Sequence, residues 1–186
     1  MILEEKMFGD YEVDFPMDEK FVIVYGSNGT GKTKTLELLE RHFLDQQKEV
    51  LFFTENRRFS VTEEEIASVM MMETLSENNI FKKYGISLQQ FYPIPEVGDF
   101  IDSGFKQIVN MFCKIMLSDA PIVMIDFPEK SLHIGIRRCL LSDILALRPI
   151  EKLIIVSHCP SIIEKHRDNL VYIENIVNIN APVAYK

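Results

Sequence analysis

The stretch Gly26-Ser27-Asn28-Gly29-Thr30-Gly31-Lys32-Thr33 decides the fold of this 186-residue chain. It matches the pattern G-x-x-x-x-G-K-[ST] at every position. Glycines let a backbone turn closely, so that its N–H groups point at phosphate oxygens, and the positive end of the following helix adds to the attraction. In this pattern Lys32 reaches the β- and γ-phosphates, and the Thr33 hydroxyl binds Mg²⁺. The stretch therefore predicts a P-loop for a nucleoside triphosphate, with ATP and Mg²⁺ as the expected ligands.

The segments on both sides of the loop supply the context that the motif requires. Residues 21–25 form a short apolar, β-branched run that predicts a buried strand. The segment after Lys32 predicts a helix with one apolar face, which carries Leu36, Leu38, Leu39 and Phe43. A glycine-rich turn with a surface lysine is the alternative, and these flanking elements argue against it.

Strands and helices alternate along the rest of the chain. Further strands are predicted at residues 50–53, 122–125, 153–156 and 170–173, and helices at residues 104–117, 133–147 and 161–166. This alternation predicts an α/β fold of the P-loop NTPase kind, with a mostly parallel sheet flanked by helices on both faces. No linker or repeat interrupts residues 1–186, so we expect a single domain.

Two regions depart from the alternation. Residues 2–8 and 11–15 indicate a hairpin across Gly9-Asp10, an antiparallel β addition before the P-loop strand. In the region 55–100, Thr62-Glu63-Glu64-Glu65 predicts a helix start with a threonine N-cap and acidic residues in the first turn. We interpret the methionines of this helix, Met70, Met71 and Met72, as core residues rather than as a ligand groove.

Charge and cysteine content narrow the possible partners and the compartment. The net charge of −8 repels nucleic-acid backbones, so bulk charge does not support nucleic-acid binding. Local basic patches stay possible, but the overall acidity favours a solvated surface pair in each candidate case, namely Arg57-Arg58, Lys82-Lys83 and Arg137-Arg138. Three cysteines outside any CxxC pair, the absence of a signal peptide and the absence of a membrane-length apolar run predict a reduced, cytoplasmic protein.

A second motif lies far from the P-loop along the chain. Ile122-Val123-Met124-Ile125-Asp126 is an apolar strand that ends in an acid, as a Walker B segment does. The aspartate of such a segment holds the metal, directly or through water. An exposed aspartate at a strand end is the alternative interpretation of Asp126.

Together these segments resemble ABC-type ATPases, in particular the soluble branch that includes SMC, RecF and OLD-like proteins. The Asn28-Gly29 form of the P-loop is typical of that family. The family's signature motif is resembled by Asp102-Ser103-Gly104-Phe105-Lys106-Gln107. Its Walker B with D-loop is resembled by Asp126-Phe127-Pro128-Glu129-Lys130-Ser131-Leu132-His133. Its switch segment is resembled by Ile155-Val156-Ser157-His158-Cys159-Pro160. The match spans nearly the whole chain.

The resemblance implies an ATP sandwich between two subunits. One subunit supplies the P-loop and Asp126, and the other presents Ser103 and Gly104 to the γ-phosphate. His158 would contact the γ-phosphate and help to orient the attacking water. A plain helix start at Ser103-Gly104 and a locally bonded strand-end histidine are the alternatives.

Two family features are missing or unplaced. Phe127 stands where the family has its catalytic glutamate, and a phenyl ring cannot accept a proton, so we expect slow or absent hydrolysis. Glu129 is a candidate substitute, although its place in the loop beyond argues against that role. No Q-loop is evident, and Gln89 and Gln90 are candidates only by position. The adenine could stack on Tyr11, Phe8 or Tyr25, although aromatic residues of this kind usually belong to the core.

Three functions from different classes follow. The first is a slow ATPase that dimerises with ATP and acts as a switch, with an effector partner protein, in DNA metabolism or antiphage defence. The second is a fully competent ATPase that drives mechanical work such as transport. The third is a small-molecule kinase, against which the switch histidine and the signature segment argue.

Overall fold

The computed structural model describes residues 2–5, 11–54, 61–74, 80–83, 103–130, 132 and 134–173. The strands in this part of the chain are β1 (Ile2–Glu5), β2 (Tyr11–Asp14), β3 (Phe21–Tyr25), β4 (Val50–Phe53), β5 (Ile122–Asp126), β6 (Lys152–Val156) and β7 (Leu170–Tyr172). The α-helices are α1 (Lys32–Asp45), α2 (Glu63–Thr74), α3 (Ile80–Lys83), α4 (Ser103–Leu117), α5 (Ile134–Leu147) and α6 (Pro160–Ile163). A 3₁₀ segment, Glu164–Asn169, follows α6.

Five strands form one parallel sheet in the order β4-β5-β6-β3-β7. All five residues of the central strand β6 are buried, and after Lys152 the strand is the continuous apolar run expected of a strand covered on both faces. The strand that precedes the P-loop, β3, lies between β6 and β7, and β6 separates it from β5. The predicted α/β fold with a mostly parallel sheet is confirmed, and each of the five strands of this sheet forms within one residue of its predicted bounds.

The alternating side chains of the sheet divide the core into two clusters. One contains Val22, Val24, Ile154 and Val156 and packs against Leu36, Leu39 and Phe43 of α1. The other contains Ile23, Val123 and Ile155 and packs against apolar residues of α2, α4 and α5. Helices therefore cover both faces of the sheet, as predicted, and the carboxyl ends of the strands are the edge at which loops can form a site.

The N-terminal strands β1 and β2 pair antiparallel in a separate two-stranded sheet. Ile2 pairs with Asp14 and Glu5 with Tyr11. The antiparallel addition is therefore confirmed, although the strands are shorter than residues 2–8 and 11–15. The expected turn at Gly9-Asp10 lies outside the described residues, and Phe15 packs in the core beside α1.

Helix α2 begins with the predicted N-cap but buries only part of its methionine cluster. The Thr62 N–H donates to the Glu65 carboxylate (2.8 Å), and the Glu65 N–H donates to the Thr62 hydroxyl (3.2 Å), which is a capping box. Met70 is buried, whereas Met71 is 72% exposed and Met72 51% exposed. The core interpretation is wrong for these two residues because α2 buries the face defined by Ile66, Val69 and Met70.

Three further outcomes concern the helices. The helix predicted at residues 161–166 is a single turn, α6, followed by the 3₁₀ segment, in which His166 has non-helical φ and ψ. One residue of each of two candidate basic pairs has a partner, since Lys83 Nζ lies 2.6 Å from Asp143 and Arg137 Nε donates to the Leu132 carbonyl. The third pair, Arg57-Arg58, lies outside the described residues. Within the described ranges, no helix has both the length and the hydropathy needed to cross a bilayer.

Candidate functional site

The P-loop connects the carboxyl end of β3 to the first turn of α1. Gly26 has φ of +156°, and a Cβ built on it would lie 2.3 Å from the Ile173 carbonyl oxygen, so only glycine fits there. Gly31 caps α1 with φ of +91° in the left-handed region, without a side-chain cap, and the first turn of α1 contains no acidic residue. The loop thus presents the positive end of a 14-residue helix with no competing carboxylate in that turn.

The side chain of Lys32 closes the P-loop from inside. Its Nζ donates to the carbonyl oxygens of Gly26 (2.9 Å) and Ser27 (2.6 Å), and the Thr30 hydroxyl also donates to Ser27 (2.9 Å). Lys32 is only 4% exposed. Burial lowers the pKa of Lys32, and the charge of Asp126 opposes that change. The ammonium is therefore held at the centre of the loop, where phosphate oxygens would be its strongest partners.

Asp126, the last residue of β5, contacts the P-loop across the width of β6. The Thr33 hydroxyl donates to Asp126 Oδ2 at 2.9 Å. Asp126 Oδ1 is buried and has no hydrogen-bond partner within the described residues. Burial raises the pKa of Asp126, while the Thr33 hydrogen bond and the Lys32 charge act against it. The two side chains bring a hydroxyl and a carboxylate together beside an unpartnered oxygen atom.

This donor set fits a magnesium ion. Mg²⁺ prefers hard oxygen ligands and is usually held by one or two protein groups together with water and substrate phosphates. Across the described ranges, no group of three or more His, Cys, Asp or Glu residues could cage a metal. Thr33 and Asp126 would therefore hold the cation jointly with a bound phosphate chain.

Phe127 directly follows Asp126, at the position where the ABC-type ATPases that the sequence resembles have a glutamate. Its backbone lies in the left-handed region, with φ of +54°, which is costly for an aromatic residue. Its N–H donates to the Val156 carbonyl (3.0 Å), so the loop after β5 stays beside the end of β6. Its ring lies 4.9 Å from the His158 ring, and Lys32 Nζ lies 5.8 Å from its centroid. A phenyl ring thus contacts both residues expected at the γ-phosphate.

His158 is exposed at the carboxyl end of β6, between two buried neighbours. The Ser157 N–H donates to the Val24 carbonyl of β3 (3.1 Å), which fixes the start of this loop against the P-loop strand. The Ser157 hydroxyl accepts a hydrogen bond from the Cys159 N–H (3.0 Å). The structure therefore brings Lys32, Asp126 and His158 to one edge of the sheet, at the carboxyl ends of three adjacent strands.

Glu129 is buried behind this edge, at 4% exposure. Its Oε1 accepts a hydrogen bond from the Ser157 hydroxyl at 2.7 Å, and its Oε2 is buried without a hydrogen-bond partner among the described residues. Ser157 was not among the expected site residues. A small hydroxyl residue at a strand end, directly before His158, is the sequence signal that could have identified it.

The remaining expected residues are only partly located. Ser103 and Gly104 begin α4, whose body packs against α2 and α5. Asp102, Gln89, Gln90 and Phe8 lie outside the described residues, and Tyr11 lies on β2. The Tyr25 ring lies 4.9 Å from the ring of Tyr172, which is 52% exposed.

Comparison with solved structures identifies the fold. The chain is similar to a bacterial Atm1-family ABC exporter with ATP bound, at 16% sequence identity and a TM-score of 0.58. It is also similar to the ATP-binding subunit of an ABC transporter, at 19% identity and a TM-score of 0.54. The similarity covers 90% of this chain in both cases, but 34% of the exporter chain and 78% of the subunit.

The chain therefore spans about a third of the length of the exporter chain. No protein-family model matches the sequence, and no curated protein sequence does. At these identities the similarity shows the fold, and it confirms the predicted ABC-type P-loop architecture.

Proposed function

We propose that this chain is an ABC-type ATP-binding subunit that binds Mg-ATP, hydrolyses it slowly and acts as an ATP-dependent dimerising switch. The observation that carries the proposal is the convergence of Lys32, the Thr33–Asp126 pair and His158 at one edge of the sheet, with Phe127 in contact with two of them. Lys32, the Thr33–Asp126 pair and His158 support phosphate and metal binding. Phe127 leaves this position without the proton acceptor that fast hydrolysis needs.

In the proposed complex, the backbone N–H groups of residues 26–33 and the N-terminus of α1 bind the phosphate chain. Lys32 exchanges its two carbonyl partners for phosphate oxygens. Thr33 and Asp126 would hold Mg²⁺, which would supply positive charge to the phosphate chain. His158 contacts the γ-phosphate from the loop after β6.

Slow hydrolysis follows from the identity of residue 127. General-base catalysis contributes about 10²–10⁴-fold to a rate. The Phe127 ring cannot accept a proton, and the carboxylate of Glu129 is buried away from water. Long-lived bound ATP suits a switch, because the nucleotide state then lasts long enough for a partner to respond. A fully competent transport ATPase is the second candidate, favoured by the similarity to the ATP-binding subunit of an ABC transporter.

The dimer in this proposal completes each site with Ser103 and Gly104 of a second copy. They stand at the amino end of the 15-residue helix α4, where backbone N–H groups and the helix dipole favour an anion. The resemblance to SMC, RecF and OLD-like proteins supports a switch that works with an effector protein in DNA metabolism or antiphage defence. The single-domain organisation and the cytoplasmic location remain predictions.

Calorimetry with Mg-ATP tests the binding proposal. Lys32→Ala is expected to weaken binding by about 10–100-fold, the loss of charge-assisted hydrogen bonds to phosphate. Lys34→Ala is a matched control, because Lys34 lies two residues further along α1 and its side chain faces Glu37 at 3.5 Å. Equal affinities for the wild type and Lys32→Ala, or no binding by the folded wild type, would overturn the proposal.

Size-exclusion chromatography tests the switch. The wild type with Mg-ATP is expected to elute as a dimer, and the same protein with ADP as a monomer. Lys32→Ala should elute as a monomer in both. A wild type that binds Mg-ATP and stays monomeric would exclude the ATP sandwich, while leaving nucleotide binding intact.

A further inference from the structure

We infer that Glu129 is a positioning residue, which acts through the Ser157 hydroxyl to fix the loop that presents His158 to the γ-phosphate. The inference rests on the proposed function, because it takes the γ-phosphate as the partner of His158. It assigns to Glu129 a role different from that of a replacement for the missing catalytic base.

The geometry of the Glu129 carboxylate supports an indirect role. Glu129 is 4% exposed, its Oε1 is engaged by Ser157, and its Oε2 is buried. A general base must reach the water that it activates, directly or through one further water. A carboxylate with both oxygens buried does not meet that requirement, whereas it can hold a neighbouring loop.

Ser157 transmits the constraint in two directions. Its hydroxyl donates to Glu129 (2.7 Å) and accepts from the Cys159 N–H (3.0 Å), while its own N–H donates to Val24 (3.1 Å). The residues before and after His158 are thereby fixed to the loop after β5 and to the P-loop strand. His158 is the exposed residue between them, so its backbone has little freedom to move away from the P-loop.

A structural role alone does not explain the choice of glutamate. A buried carboxylate oxygen without a partner costs stability, and an apolar side chain of similar volume would avoid that cost. The hydrogen bonds of the Ser157 hydroxyl involve the two residues that flank His158, namely Ser157 itself and Cys159. The loop of Glu129 also carries Phe127, whose ring contacts the His158 ring. The buried carboxylate therefore destabilises the fold at a position where its hydrogen bond to Ser157 fixes the geometry of the site.

Imidazole resonances of the nucleotide-free protein test the inference independently of ATP binding. His158→Gln assigns the His158 signals, and His166, which packs edge-on against Phe21, serves as an internal control. Glu129→Ala and Ser157→Ala are each expected to shift the His158 signals, and the double variant should add nothing further. Glu129→Gln should restore the wild-type position, because its amide oxygen accepts the same hydrogen bond.

Nucleotide affinities supply the second measurement. Both alanine variants are expected to lower the preference for Mg-ATP over Mg-ADP by about tenfold, as for one lost hydrogen bond to a charged group, and to leave the Mg-ADP affinity unchanged. A general loss of packing would instead weaken the binding of Mg-ATP and Mg-ADP equally. If Glu129→Ala does not fold, Ser157→Ala carries the same test, because it removes only one hydroxyl group.

Three results would overturn the inference. The first is a His158 signal that stays in place in Ser157→Ala. The second is additive effects of the two alanine substitutions, which would mean that Glu129 acts without Ser157. The third is an unchanged preference for ATP over ADP. A wild type that binds neither nucleotide would refute the proposed function instead, and the resonances would still decide whether Glu129 positions the loop.

Discussion

Phe127 and His158 are in ring contact, with centroids 4.9 Å apart and an interplanar angle of 55°. Lys32 Nζ lies 5.8 Å from the centroid of the same phenyl ring. The ring is therefore close to both Lys32 and His158, at the position where the resembled family has a glutamate. The ring places an apolar group beside Lys32 and His158, and it offers no group that accepts a proton. We therefore expect the identity of residue 127 to control turnover more than nucleotide affinity.

Phe127→Glu should raise ATP turnover by about 10²-fold or more, because it restores a proton acceptor beside His158. Steady-state phosphate release measures the change. Phe127→Gln is the matched control, since it has the same shape without the basic oxygen, and it should not raise turnover. Wild-type turnover at the rate of an ordinary ATPase, with no gain in Phe127→Glu, would contradict this account.

Gly26→Ala should abolish Mg-ATP binding, because its methyl group would lie 2.3 Å from the Ile173 carbonyl oxygen. Gly29→Ala is the matched comparison. It shares a positive φ (+82°), but its Cβ would meet nothing within 4 Å, so it should cost only about 1–2 kcal/mol of backbone strain. Calorimetry and thermal unfolding of both variants measure the contrast. Similar losses in the two variants would mean that strain, and not the close approach to Ile173, explains the glycine.

Asp126→Asn should stabilise the nucleotide-free protein and weaken its response to Mg-ATP. Burial raises the pKa of Asp126, and nearby Glu129 and Glu37 add to this, against the Thr33 hydrogen bond and the Lys32 charge. A raised folded-state pKa means that the folded protein holds the proton more tightly than the unfolded chain does. Stability is therefore lost as the pH rises from the unfolded pKa, about 3.9, through the folded-state value.

Asparagine removes that loss and keeps an oxygen atom for the Thr33 hydroxyl. We expect the Tm of Asp126→Asn at pH 7 to lie above that of the wild type, because the amide has no charge to desolvate. Calorimetric scans between pH 4 and pH 7 measure the effect, which should shrink toward about pH 4. A difference in Tm that is constant across this range would contradict the electrostatic cause.

Thr62→Ala should lower the free energy of unfolding by about 1 kcal/mol, because it removes the hydroxyl that caps α2. Urea unfolding at pH 7 measures the change. Glu64→Ala is a control on the same first turn, since Glu64 is exposed, and it should have little effect. Equal stabilities of Thr62→Ala and the wild type would show that the capping box contributes nothing net.

Local patterns were sufficient for the parts of the fold that depend on local physics. The apolar run before Gly26 predicted β3, the acid after an apolar run placed Asp126 at the end of β5, and Thr62 with the acids after it predicted the start of α2. Each depends on periodicity or on turn and cap chemistry within a few residues. Parallel pairing then brought the strand ends, and with them Lys32, Asp126 and His158, to one edge.

Contacts between distant loops could not be predicted in the same way. The hydrogen bond from Ser157 to Glu129 depends on the relative height of two loops, which no short segment encodes. The left-handed backbone at Phe127 is unexpected for an aromatic residue and is held by the hydrogen bond from its N–H to the Val156 carbonyl of β6. Met71 and Met72 were misassigned because composition indicated core, whereas the rotation of α2 turns them away from the sheet.

The strand order has a consequence for how the protein matures during synthesis. Both neighbours of β3 come from far along the chain, since Phe21 pairs with Leu153 and Tyr25 with Tyr172. A nascent chain that has emerged only as far as β5 holds a complete phosphate-loop sequence with no strand to pair with it. Such long-range pairings make assembly slow, because the entropy of loop closure is lost before the contacts form. Until β6 and β7 leave the ribosome, the apolar β3 has no partner strand and is exposed to aggregation. We therefore expect the phosphate-binding geometry to form only when β6 and β7 pair with β3.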